Sequence, residues 1–220
     1  MHDPTLIIGN KNYSSWSLRP WLLLKQAGIP FRELYIPIRG DAWHIQIHDL
    51  SPSGKVPALI HGDVRVWDSL AICEYLAERF PEKQLWPAAI AARAEARSVS
   101  AEMHSGFQAL RANMFMNIRR HMPTRGRTSE TLADIERILA IWNDCRTRYA
   151  TGGPFLFGAF SIADAMYAPV ALRFQTYAVT VDGAAGVYAK TLLDLPAMLE
   201  WVAAARAEKD QLAHYEPAEA

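Results

Sequence analysis

The sequence predicts an α/β protein in two parts. A small domain on a mixed four-stranded sheet, in the order βαβαββα, is followed by an all-α domain. Three observations predict it. Short apolar runs alternate with helical patterns only as far as residue 81. Residues 57–61 and 64–67 flank Gly62-Asp63 and read as a tight hairpin. Beyond Phe80-Pro81 strand signals almost vanish, and apolar residues recur at helical spacing.

Taken in order, residues 5–9 are a short β-rich run and 17–26 a helix stopped at Gly28. Residues 31–36 are a second strand, 41–50 a short helix, 57–67 the hairpin and 69–79 a closing amphipathic helix. A strand, helix and strand in succession imply a parallel pair with a right-handed crossover. The hairpin adds antiparallel strands, and a mixed sheet with helices on both faces is the thioredoxin-like arrangement. Helices are expected over 88–122, 129–150, 161–178 and 196–208, with a Pro/Gly/Arg-rich loop at 123–128. The expected domains are therefore residues 1–82 and 88–220.

Composition narrows the function classes. Half of the 220 residues are hydrophobic, as in a globular protein with a sizeable core. The 23 basic and 23 acidic residues cancel, so no global field recruits nucleic acid or anionic lipid. Arg119, Arg120, Arg125 and Arg127 form a local basic patch, without an aromatic sheet or a DNA-reading motif beside it. The N-terminus does not read as a secretory signal, and no apolar run approaches the roughly 20 residues of a membrane span. Cys73 and Cys145 lie far apart in helical segments and read as buried thiols of a reducing compartment. A cytoplasmic protein without a metal is expected.

Three turns offer chemistry. Asn12–Ser17 joins the first strand to the first helix, at a strand's carboxyl end, where α/β sheets bind ligands. The helix N-terminus there stabilises a thiolate. A serine without a base is a poor nucleophile, but it donates a hydrogen bond to a ligand's sulfur. Val56-Pro57 opens the third strand; trans is the local default, whereas a cis bond would turn the Val56 backbone outward to pair with an extended peptide. Asp68-Ser69 stands where a strand hands over to a helix, with Ser69 as the expected N-cap. The same pair suits an amino-acid head group, Ser69 taking the carboxylate and Asp68 the ammonium. Taken singly, the first and third turns also read as helix caps. Together they meet the requirements of γ-Glu-Cys-Gly.

The Ser14-Ser15-Trp16-Ser17-Leu18-Arg19 run, Val56-Pro57, Asp68-Ser69 and Phe160-Ser161-Ile162-Ala163-Asp164 together resemble the glutathione S-transferase family. The active-site run is most similar to the zeta class, which includes maleylacetoacetate isomerases, with Trp16 in the class's cysteine position. The resemblance implies glutathione as co-substrate, a small electrophile, a homodimer and a cis Val56–Pro57 bond. It implies that Ser14 or Ser15 donates to the thiolate, Ser14 being the first choice and Tyr13 a rival. Val56 then pairs with the cysteinyl backbone, Asp68 and Ser69 hold the γ-glutamyl head, and Lys55 meets the glycyl carboxylate. Met103, Phe107, Arg111 and Phe115 follow helical spacing and line either the second-substrate cleft or the core. Arg173 is the nearest candidate for the arginine with which zeta enzymes read an acidic substrate, about one turn early. Conjugation, glutathione-dependent cis–trans isomerisation and a non-catalytic, stress-regulatory binding role all fit the resemblance.

Overall fold

The computed structural model describes residues 3–38 and 40–216. The outer ends of the two expected domains, residues 1–2 and 217–220, lie outside the described residues.

Strands β1 (Thr5–Ile8), β2 (Arg32–Tyr35), β3 (Ala58–His61) and β4 (Val64–Trp67) form one sheet in the order β2-β1-β3-β4. β1 runs parallel to β2 and antiparallel to β3, and β3 pairs antiparallel with β4. Helices α1 (Ser15–Gln26), α2 (Gly40–Leu50) and α3 (Ser69–Arg79) complete the βαβαββα order. Strand alternation divides the core. Leu6, Ile8 and Leu59 bury against Trp21, Leu22, Ile72 and Leu76 of α1 and α3. Ile7 and Ala58 point the other way, toward Ile47 of α2. Helices therefore cover both faces, as expected.

The remainder is helical: α4 (Ile90–Ser105), α5 (Gln108–Asn113), α6 (Ser129–Tyr149), α7 (Ile162–Thr176), α8 (Gly183–Leu193) and α9 (Pro196–Ala207). α7 lies at its centre and packs against α1, α4 and α8. Its residues are buried almost all round, so it shows no amphipathic stripe. A capping box starts it, with the Ser161 N–H donating to Asp164 Oδ2 at 2.8 Å.

Two expectations are corrected. The single helix expected over 88–122 breaks after Ser105, where Gly106 is extended and Phe107 adopts φ +58°. A side chain at Gly106 would press on the Glu102 carbonyl, while Phe107 turns into the core and Asp134 receives the Leu110 N–H at 2.9 Å. Helix α8 has no counterpart in the sequence expectation, because Gly183 and Gly186 mask its pattern. Gly186 is required there by contact, since a Cβ would run into the Val181 carbonyl oxygen.

Candidate functional site

The turn after β1 winds straight into α1, placing two serines at the helix N-terminus. Ser14 is the N-cap; its Oγ accepts from the Ser17 N–H at 3.3 Å and contacts Ser17 Oγ at 2.7 Å. Ser17 Oγ in turn accepts the Gly9 N–H at 3.2 Å. Ser15 Oγ accepts from Arg173 Nη2 at 3.2 Å. Both active-turn serines are buried. The Tyr13 hydroxyl is already engaged. It donates to Glu216 and accepts from Arg119 Nη2 at 2.8 Å and the Leu212 N–H at 3.3 Å. Burial, then Glu216, raises its pKa.

The other two turns face this one. Val56–Pro57 is cis. Asp68, at φ +74°, caps α3 by accepting the N–H groups of Leu70 at 2.9 Å and Ala71 at 3.2 Å. The expected cap, Ser69, is one residue late: it is the first residue of α3 and is buried, and its Oγ accepts from Arg19 Nη1 at 3.2 Å. Freed from capping, it borders the cleft beside Asp68.

Two adjoining recesses make the cleft. The first, about 350 Å³, is bordered by Tyr13, Ser14, Ser15, Arg111, Phe115, Arg173 and Tyr215. The second, about 440 Å³, is bordered by Pro57, Trp67, Asp68, Ser69 and His104. Trp16, Lys55 and Val56 border both, and each recess is of the size that takes a small molecule. Of the expected second-substrate residues, Arg111 and Arg173 border the first recess, whereas Met103 and Phe107 are core residues.

Three guanidinium groups gather here. Those of Arg19 and Arg111 lie 4.2 and 4.6 Å from the Trp16 ring centroid, a cation–π arrangement. Arg173 donates from Nε to the Met114 carbonyl at 2.9 Å. Buried nitrogens without a hydrogen-bond partner remain on all three: Arg19 Nε and Nη2, Arg111 Nη1 and Arg173 Nη1. Burial, followed by mutual repulsion with Arg111, lowers the pKa of Arg19 strongly and that of Arg173 to about 10. Such a cluster favours an anion in the cleft.

Sequence reasoning did not single out Arg19, Trp16, His104 or Tyr215 as site residues. Only the first two left a signal, standing three apart on one helix and so on one face.

Comparison with known proteins agrees with this architecture. Residues 13–79 match the family model "Glutathione S-transferase, N-terminal domain", and residues 90–204 match "Glutathione S-transferase, C-terminal domain". The chain is 35% identical over 105 residues to glutathione S-transferase Z1 of Arabidopsis thaliana, covering 44% of this chain and 47% of that protein. It is 30% identical over 107 residues to a probable maleylacetoacetate isomerase of Caenorhabditis elegans, covering 49% of each. The aligned stretches thus span about half the length of these curated relatives. In fold it is similar to a glutathione transferase homolog from Burkholderia GL BGR1 with bound glutathione, at a TM-score of 0.69 and 22% identity, covering 93% of this chain and 99% of that one. The chain belongs to the glutathione S-transferase family.

Proposed function

We propose that the protein binds glutathione and activates its thiol for attack on a small electrophile. The thiol proton is lost to solvent, and the sulfur–carbon bond forms as a leaving group departs from that carbon or its double bond opens and takes up a proton. The observation that carries this reading is the convergence of Ser14, Ser15, Val56, Asp68 and Ser69 on one cleft. Residues 1–82 act as the glutathione-binding domain, and residues 88–220 supply the electrophile side.

Asp68 takes the α-ammonium of the γ-glutamyl head and Ser69 its carboxylate. Val56 pairs with the cysteinyl backbone, and exposed Lys55 meets the glycyl carboxylate. The sulfur then lies at the N-terminus of α1, where unpaired N–H groups and the helix dipole favour the thiolate. Ser14 is the hydroxyl donor. With Ser17 Oγ accepting from Gly9, rotation of the two hydroxyls gives a chain Gly9 N–H to Ser17 to Ser14 to sulfur. Ser15, held by Arg173, is the second donor. Tyr13, committed to Glu216, takes no part. Activation is thus electrostatic and positional, with no covalent enzyme intermediate.

A second reading, glutathione-dependent cis–trans isomerisation of an acidic substrate, is favoured by Arg111 and Arg173 in the wall of the first recess. Glutathione would add to the double bond and leave again without net consumption. A homodimer in the cytoplasm is the setting we propose. Half-exposed Val64 on edge strand β4 supports the dimer, and the free, buried Cys73 and Cys145 support a reducing compartment.

Titration with reduced glutathione, following the ultraviolet thiolate signal, tests the main reading. Saturable binding with an ionised thiol at neutral pH is expected. Absence of binding, or binding without thiolate, overturns it. Glutathione consumption during turnover separates conjugation from isomerisation.

A further inference from the structure

His104 sits in the last turn of α4, in the helical part of the protein, yet it reaches the second recess beside Asp68 and Ser69. Its Nε2 is 3.1 Å from Asp68 Oδ2. The other carboxylate oxygen, Oδ1, is occupied by the two N–H groups of the α3 cap. His104 therefore holds the oxygen of Asp68 that the cap leaves over. The imidazole is itself fixed, edge-on to Trp16 with ring centroids 5.4 Å apart, and Arg111 Nη2 donates to its backbone carbonyl at 3.2 Å. Its Nδ1 is buried and has no hydrogen-bond partner.

We propose that His104 is a positioning residue of the γ-glutamyl head-group subsite, which makes glutathione affinity depend on pH through Asp68. This rests on the function proposed above. Neutral His104, with its hydrogen on Nε2, donates to Asp68 and orients it, leaving the full negative charge of the carboxylate for the ligand's α-ammonium. Protonated His104 converts Asp68 into half of an ion pair, and the ammonium then meets a neutral pair with a cation beside it. Affinity is thus high above the histidine's titration range and falls as pH drops through it.

The surroundings set where that range lies. Asp68 and the carboxyl end of α4 favour the charged ring. Burial opposes it most strongly, and the cations Arg19 of α1 and Arg111 of α5 oppose it further. The balance lowers the His104 pKa below its ordinary value, so the neutral, orienting form dominates at pH 7.

The experiment is calorimetric titration of the intact protein with S-methylglutathione, whose blocked sulfur does not ionise, between about pH 5 and 7, where the α-carboxyl groups stay charged and the α-amino group stays protonated. Asp68 is partly exposed, so screening keeps the effect small: the wild type should weaken about five-fold across this range. His104→Gln keeps an N–H donor but does not titrate. It should bind about as tightly as the wild type does at pH 7 and show a flat profile. His104→Phe removes the donor and should bind more weakly than His104→Gln at every pH, also without slope. A flat wild-type profile, or a slope retained in His104→Gln, overturns the proposal while leaving glutathione binding intact. Absence of binding by both S-methylglutathione and reduced glutathione overturns the function reading and this subsite together.

Discussion

Arg173 Nη2 donates to Ser15 Oγ at 3.2 Å, linking residues 158 positions apart in the chain. The contact ties the central helix of the α-helical part to the first turn of α1, along the seam where α1 packs on α7. On the function proposed above, a cation on the electrophile side and a hydroxyl on the thiol side thus share one hydrogen bond. Whatever moves one disturbs the other.

Replacing Arg173 separates these two duties. Arg173→Met fills similar space without a charge but leaves the Met114 carbonyl without its Arg173 donor, so urea midpoints accompany the kinetics. KM for a carboxylate-bearing electrophile should rise about ten-fold, the worth of a hydrogen bond to a charged group, while a neutral electrophile is turned over with little change. Steady-state kinetics with the two substrates decide it. Equal losses on both would show that Arg173 acts only by holding Ser15.

The serines are distinguished in the same way. Ser14→Ala should lower kcat/KM by about 10²-fold, typical for one donor to a developing or bound anion, and raise the thiol pKa of bound glutathione. Ser15→Ala should cost only about ten-fold if Ser15 is the second donor, as proposed. Losing the Ser14 cap also destabilises α1 by about 1 kcal/mol, so urea midpoints accompany the kinetics. The opposite ranking would make Ser15 the primary donor.

Much of this site is legible in the sequence because each turn announces itself locally. Ser14-Ser15, Val56-Pro57 and Asp68-Ser69 each interrupt a strand or start a helix, and β1 to α3 follow from their periodicity. What escapes is whatever depends on packing. Nothing near Asp68 in sequence says that His104 will meet it, since that contact arises from α4 approaching α3. Arg19 belongs to the serine run, but its hydrogen bond to Ser69, 50 positions away, shows only in the fold. The choice of Asp68 over Ser69 as cap turns on a backbone conformation, φ +74°, that residue preferences for N-caps do not foresee. Glycine misleads twice: Gly186 hides a helix by serving a close contact, and the break at Gly106 is overridden in the sequence by the apolar spacing around it.

Asp68→Asn isolates charge from capping. Asparagine and aspartate cap helices about equally well, so the urea midpoint should hold. The variant lacks the negative charge offered to the γ-glutamyl ammonium, and KM for glutathione should rise about five-fold with kcat nearly unchanged, a modest loss because Asp68 is partly exposed. A fall in kcat with KM unaltered would place Asp68 in the chemical step and remove it from the head-group subsite.

Asp164 gives a prediction for the fold. It is completely buried, with Oδ1 accepting the Leu156 N–H at 3.0 Å and Oδ2 accepting from Ser161 N at 2.8 Å and Ser161 Oγ at 3.1 Å. Burial outweighs these bonds and pushes its carboxyl up to about 6. An unfolded aspartate titrates near pH 3.9, so between about pH 4 and pH 6 the native state holds more protons than the unfolded state. The stability this group contributes is therefore complete below about pH 4 and is lost as pH rises through about 6, a change on the order of 2–3 kcal/mol. Asp164→Asn cannot titrate and keeps only one carbonyl acceptor for the N–H groups of Leu156 and Ser161, so it should be less stable than the wild type in acid. The gap between the two should narrow toward neutrality. Urea unfolding at about pH 4.5 and pH 7 measures it, and a gap constant across that window would assign the pH dependence to other groups.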